Sequence, residues 1–353
     1  MQSFKAFLKR KNIVFSAHRY GIDALGAMAQ GLFCSLLIGT IIKTLGTQLN
    51  LSMLTDIGTY AMAVSGPAIA VAIGYALQAP PMVLFSLSAV GWAANAEGGA
   101  GGPLAVLLIA IVAAECGKAV SKETKVDILV TPAVTILVGV ALAKLIAPPI
   151  GGAAQAFGRV IDDATRLQPF WMGIAVSVLV GVALTLPISS AAICSVLGMT
   201  GLAGGAAVAG CCAQMVGFAV MSFRENRWGG LVSQGLGTSM LQMPNIVKNP
   251  RIWIPPTLAA AVTGPIATCL FRLEMNGTPV SSGMGTCGLV GPIGVYTGWV
   301  EDIAAGLRTS IGGMDWLGLV LICFVLPGVL TWLLGIPCRK AGWIKEGDLK
   351  LED

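Results

Sequence analysis

The sequence predicts an all-α, polytopic integral membrane protein, and three observations carry that reading. Of 353 residues, 55% are hydrophobic and 11% charged, far more apolar than a soluble domain of this size; mean hydropathy is +0.81. Apolar runs long enough to cross a hydrocarbon core, which needs about 20 helical residues, recur along the chain. Between them lie uncharged polar stretches broken by Gly and Pro, a kind of backbone tolerated at membrane depth only where protein or a water-filled cavity surrounds it.

The elements follow in order. Residues 1–20 form an amphipathic cytoplasmic segment in which Phe4, Phe7 and Leu8 share one helical face amid the basic residues Lys5, Lys9, Arg10 and Lys11. This is either a helix lying on the inner membrane surface or a frayed basic tail. Both readings put the N-terminus inside, and no cleavable signal pattern follows. The transporter-like body is expected over 21–335, with scaffold spans mainly in 21–168 and polar hairpins mainly in 169–300, and a cytoplasmic tail over 336–353.

A first span covers 22–45, with Gly21, Gly26, Gly31 and Gly39 offering close packing. A second, 57–77, ends at Ala79-Pro80-Pro81. Residues 82–94 are too short for a full crossing and run into Asn95-Ala96-Glu97 and the glycines of 98–102, a candidate broken helix. Residues 103–117 return and meet Lys118, Lys122, Glu123, Lys125 and Asp127, a charged connection placed in the cytoplasm. Residues 128–146 cross outward, and 148–169, with Arg159, Asp162, Asp163 and Arg166, read as an external connection between two halves.

The second half opens with 170–186, interrupted at Leu186-Pro187-Ile188-Ser189-Ser190 by either a re-entrant hairpin or a proline-kinked helix. Runs over 201–223 and 254–271 follow, and then the Gly-, Pro- and Ser-rich 274–298, either an outer loop or a second re-entrant element. A final span over 317–334 leads to Arg339, Lys340, Lys345 and Lys350, which place the C-terminus inside too. Both termini inside requires an even number of crossings, eight to ten by span length, with two re-entrant hairpins.

The stretch 235–251 organises the rest. Thr238, Ser239, Gln242, Asn245 and Asn249 are uncharged hydrogen-bonding groups, and Pro244 and Pro250 prevent an unbroken helix. The functional reading is a substrate-binding hairpin opposed by Ser189 and Ser190; the plain alternative is a solvated loop. Glu97 with Asn95, and Glu274, are candidates for ion coupling, because an ionisable group inside a bilayer is costly. The alternative is that both glutamates sit in interfacial water or pair with a nearby Arg or Lys.

Nine cysteines without CxxC spacing or a neighbouring His cluster read as small buried hydrophobes, so neither a disulfide framework, a metal site nor a cofactor is indicated. The net charge of +5 is spread over chain ends and connections, which suits positive inner loops and not a nucleic-acid partner.

Three stretches carry a resemblance that covers most of the chain: GGPLAVLLIAIVAAECGK at 101–118, VDILVTPAVTILVGVALAKLIAPPI at 126–150 and QMPNIVKNPRIWIPPTLAAAVTGPI at 242–266. They resemble the membrane IIC component of the bacterial phosphoenolpyruvate-dependent sugar phosphotransferase system, in its fructose and mannitol branch. The departures are specific. Where that family carries an acidic sugar-binding residue before a proline, this chain has Ser239, Met240, Leu241 and Gln242, and its Asp-Pro is here Asn249-Pro250. The motif with Asp, Gly-Gly-Pro and Asn-Lys is here 186–192, and the late His-Gly-Gly is Gly291-Pro292-Ile293-Gly294. His18 is the chain's one histidine.

In these losses the chain is similar to a divergent stand-alone IIC-like family that includes a bacterial toxin-regulator protein. The resemblance implies an elevator-type transporter of a small, sugar-like solute, a homodimer in the bacterial cytoplasmic membrane in contact with lipid, and separate IIA and IIB partners if phosphorylation is retained. The alternatives are a membrane sensor or regulator on a transporter scaffold, and a true phosphotransferase IIC subunit. As an enzyme it would be at most the membrane subunit of a sugar phosphotransferase, since amides and alcohols are poor bases for a sugar hydroxyl.

Overall fold

The computed structural model describes residues 2–351, with side chains from Lys5 onward, so Phe4 of the expected amphipathic face lies outside the described side chains. Among these residues the regular structure is helical, with no strand and a single isolated bridge in which Gly201 and Met275 exchange main-chain hydrogen bonds of 3.0 Å. The all-α membrane class therefore holds. The chain divides into two compact units at Ala154 and Gln155.

The first unit contains α1 (Gln2–Arg10), α2 (Arg19–Gln48), α3 (Ser52–Ala63), α4 (Ser65–Ala76), α5 (Pro81–Gly98), α6 (Gly102–Val120) and most of α7 (Asp127–Thr165). α3 and α4 bend by 49° at their junction and pack along α2. There Gly31 abuts Ala68 and Ile69, and Gly39 abuts Gly58, so the main chains meet without side chains between them. α5 starts at Pro80-Pro81 because a proline in a first helical turn forgoes a donor that has no helical partner anyway. It ends at Gly99, whose φ of +49° favours glycine, and the chain folds back into α6. The reversal brings Gly117, near the end of α6, against the methyls of Val83 near the start of α5.

Two expectations differ from what this unit contains. Residues 148–169, expected as an external connection, continue α7 through Pro148 and Pro149 to Thr165. Each proline removes one helical hydrogen bond yet holds φ near the helical value of about −65°, so a proline pair need not end a helix. Lys118, expected in the charged cytoplasmic connection, lies instead within α6 and is buried at 1% exposure. Its Nζ donates to the main-chain oxygens of Asn12 (2.8 Å) and Leu77 (3.0 Å), which end their local turns, and pairs with Glu115 Oε2 at 2.9 Å. Tyr20 donates to the other oxygen of Glu115 at 3.0 Å. Outside the spans, α1 is tied down by Arg10 and Lys11, both of which pair with Glu123.

The second unit contains the end of α7 and then α8 (Pro169–Thr185), α9 (Ser190–Val196), α10 (Gly201–Met221), α11 (Phe223–Val232), α12 (Met243–Lys248), α13 (Pro250–Phe271), α14 (Pro279–Ser282), α15 (Val290–Ala304) and α16 (Gly313–Lys340). Its centre is α10, packed between α8, α13 and α16. Gly181 of α8 faces Gly210 of α10, and a Cβ on Gly210 would overlap the main-chain oxygen of Ser177. Ser177 closes the other side of α8 by donating to the Ala260 oxygen of α13 at 2.8 Å. Cys194, Cys211, Cys212, Cys287, Cys323 and Cys338 are buried as free thiols, whereas Cys34 and Cys269 are exposed.

Among the described residues, six helical stretches can cross a membrane by length and composition, or seven with the bent α3–α4 pair as one span, against the eight to ten expected. One of the six is the 40-residue run that α5 and α6 make together, although the contact of Val83 with Gly117 makes it a folded-back pair. α8 is apolar too but, with 17 residues, shorter than the about 20 that a full crossing needs. Exposed apolar side chains such as Ile128, Leu137 and Leu145 along α7 suit contact with lipid.

Candidate solute site

α8 stops at Thr185 because Leu186 precedes Pro187 and is held extended (φ −68°, ψ 156°). The chain re-enters a helix at Ser189, whose Oγ caps α9 by accepting from the Ala192 amide at 3.2 Å. On the opposite side, α11 gives way to a turn over Ser233–Gly237 and then to extended Thr238, whose Oγ1 accepts from the Met240 amide at 3.1 Å. A single 3₁₀ turn, Ser239–Gln242, leads into α12, with Pro244 in its first turn.

These two breaks meet. Thr185 Oγ1 and Ser239 Oγ are 2.7 Å apart, and Thr185 also lies 3.4 Å from Gln214 Oε1 on α10. Gln214 is the hub of the network: its Oε1 accepts from Trp253 Nε1 at 2.9 Å and its Nε2 donates to Thr257 Oγ1 at 3.2 Å. Thr185, Gln214 and Ser239 are all 0% exposed. A buried polar group costs free energy unless bonded, so an uncharged cluster of this size at the helical centre is sustained by its mutual bonds.

A second layer of amides lies beyond it. Gln242 Nε2 donates to Gln234 Oε1 and to the Leu349 main-chain oxygen, both at 2.9 Å. Asn245 Nδ2 donates to Gln242 Oε1 and to the Lys350 oxygen, both at 2.8 Å. Asn249 donates to the Trp343 oxygen and to Asp348 Oδ2, again at 2.8 Å, while its own Oδ1 accepts from the Arg251 amide at 3.2 Å. Gln234 is anchored in turn on Ser222 Oγ at 2.9 Å. Asn245 and Asn249 help line a cavity of about 420 Å³.

The residues expected from sequence are thus distributed. Thr238, Ser239, Gln242, Pro244, Asn245 and Asn249 fall in one continuous turn–helix–turn segment. Ser189 and Ser190 do not face it through hydrogen bonds: Ser189 caps its own helix and Ser190 Oγ donates to the Gly283 oxygen at 2.7 Å. Glu97, in the first unit, is half-exposed and pairs with Lys144 at 3.0 Å. Asn95 lies two residues earlier on the same helix, in close contact with Gly66 and Gly102. Glu274 is exposed and accepts from Asn276 at 3.3 Å. Sequence reasoning did not single out Thr185, Gln214, Trp253, Thr257, Gln234 or Asn226. For Gln214 a signal existed, since it is the one amide in the apolar run of α10.

The chemistry open to this arrangement is recognition by neutral donors and acceptors. Amides and hydroxyls supply both roles, as the hydroxyls of a polyol require. None of Thr185, Gln214, Ser239, Gln242 and Asn245 is a base able to take a proton from an alcohol. Among the described residues no group of His, Cys, Asp and Glu is arranged to hold a metal ion.

A family model described as Phosphotransferase system, EIIC matches residues 22–351. No curated protein matches the chain. No solved structure matches it either.

Proposed function

The chain belongs to the phosphotransferase-system EIIC family, and from that membership we propose that it is a membrane transporter of a small, uncharged, sugar-like solute. The observation that carries the proposal is the buried, wholly neutral network of Thr185, Gln214 and Ser239, continued by Gln242 and Asn245. Buried hydrogen-bonding groups of this kind discriminate strongly for a ligand that can replace the bonds they already make. Ser239, Gln242, Asn245 and Asn249 supply donors, and Thr185 and Gln214 hold the hairpin in place from behind. The division of the chain into two compact units, with these polar breaks in the second, suits an elevator motion; the homodimer rests on the family resemblance alone. A bacterial cytoplasmic membrane with both chain ends inside accords with the basic segments that flank the spans.

A second reading, a true phosphotransferase subunit, is favoured by the family match alone. It requires separate IIA and IIB proteins, and it predicts phosphorylated product only when they are present.

The test is a thermal-shift screen of the purified protein against sugars, polyols and their phosphates, because a ligand that binds the folded state alone raises apparent stability. A stabilising sugar whose effect is lost in Asn245→Ala and Ser239→Ala is the expected result. An undiminished shift in both variants overturns the site assignment. Accumulation of that sugar in proteoliposomes separates a transporter from a sensor, which would bind without accumulating.

A further inference from the structure

The segment 343–351, which follows α16, is held in place by the amide layer of the site. Leu349 presents its main-chain oxygen to Asn226 Nδ2 (2.7 Å) and Gln242 Nε2 (2.9 Å), Lys350 presents its own to Asn245, and Trp343 to Asn249. The Leu351 amide completes the set by donating to Asn226 Oδ1 at 2.8 Å. Four side-chain amides are therefore occupied by peptide carbonyls, neutral acceptors of the same kind as the oxygens of a sugar.

Only two residues of the segment are buried. Leu349 (0% exposed) and Ile344 (2%) sink among Phe218, Met221, Ile246 and Ile252, while Trp343, Lys345, Glu346, Gly347 and Lys350 stay exposed. It belongs to no helix. Gly342 at φ +72° releases it from α16, and Gly347 at φ +92° turns it, with Asp348 Oδ2 accepting from the Lys345 amide at 2.8 Å. Along its seam with Asn245 and Asn249, the 420 Å³ cavity is walled by Gly347, Asp348, Lys350 and Leu351. Two apolar seats and a set of single side-chain bonds resist opening far less than the packed core of α10, so the segment can open without global unfolding.

We propose that residues 343–351 are a releasable strap that serves as an internal pseudoligand, occupying the amide donors until it opens. That the strap competes with solute rests on the transport reading above. That it opens by itself does not.

The experiment is native-state hydrogen exchange on the full chain in detergent, comparing the Asp348, Lys350 and Leu351 amides, which are bonded within the strap or to Asn226, with those of α10. Strap amides exchanging at least about tenfold faster than α10 is the expected result. Leu349→Ala, which empties the apolar seat, raises strap exchange about tenfold further and leaves α10 unchanged up to Gly217, ahead of the Phe218 and Met221 that line the seat. Asp348→Ala, which removes the acceptor shared by Asn249 and Lys345, gives the same direction without touching the core. Strap and α10 exchanging together in the wild type and both variants overturns the proposal and makes the segment a permanent staple. Fructose and mannitol accumulation in proteoliposomes is read separately: none in the wild type or in either variant would end the solute reading while the exchange result stands.

Discussion

Thr185 and Ser239 meet hydroxyl to hydroxyl, 2.7 Å apart, at a place where two helices have been broken on purpose by Leu186-Pro187 on one side and the extended Thr238 on the other. Neither hydroxyl has access to water, so Ser239 Oγ depends on Thr185, which itself also reaches Gln214 Oε1 and the Gly181 oxygen, both at 3.4 Å. Thr185→Val and Ser239→Ala should each cost about 1–3 kcal/mol, the usual consequence of orphaning a buried partner. The double variant should cost less than the sum, because one interaction is lost twice. Chemical unfolding of the purified variants measures all three values, and strict additivity would mean that the two hydroxyls do not interact.

Lys118 makes a different kind of prediction. It neutralises Glu115 and satisfies two main-chain oxygens in a buried setting. Lys118→Met should destabilise the first unit by about 3–5 kcal/mol, since removing one partner leaves a buried charge without compensation. Adding Glu115→Gln should recover part of that loss. Thermal unfolding of the single and double variants checks both statements, and a silent Lys118→Met would place the ammonium in water.

Glu123 lies outside the spans, in the connection before α7. The hydrogen bond from Lys11, helped by the charges of Arg10 and Lys11, holds its carboxyl below the ordinary value of 4.5. A depressed folded value means that the link between α1 and this connection is fully present above about pH 4.5 and is lost as pH falls through the lowered value. Carbon-detected titration of Glu123 should give a midpoint below that of an unpaired glutamate, and Lys11→Met should move the midpoint back up. A midpoint that ignores Lys11→Met would remove the pairing.

Much of this was legible in the order of residues. Span-length apolar runs identify the class, because a bilayer imposes its thickness on composition. Residues 235–251 stand out because uncharged donors and two prolines interrupt such runs, a pattern that a solvated loop shares with a binding hairpin. What composition could not supply was partnership. Ser239 is bonded by Thr185, 54 residues away, and not by the serines at 189 and 190, which are taken up in capping α9 and in bonding the Gly283 oxygen. Lys118 belongs to a charged cluster in the sequence, and local sequence does not separate a buried ammonium from its solvated neighbours. Pro148 and Pro149 look like a helix end, yet α7 passes through them because their φ is already helical. The strap was legible only as a basic tail, since its hold on the site is made by main-chain oxygens, which every sequence possesses.

The buried network described above has one electrical consequence. Thr185, Gln214, Ser239, Thr257 and Trp253 carry no charge at any physiological pH, and an elementary charge crossing a membrane exchanges about 2.3 kcal/mol with each 100 mV of potential. Carrying these groups from one face of a bilayer to the other would therefore do no work against the field. A carrier built on them would turn over at a rate indifferent to membrane voltage, and any voltage dependence in its flux would have to come from the cargo or from ionised groups elsewhere in the chain.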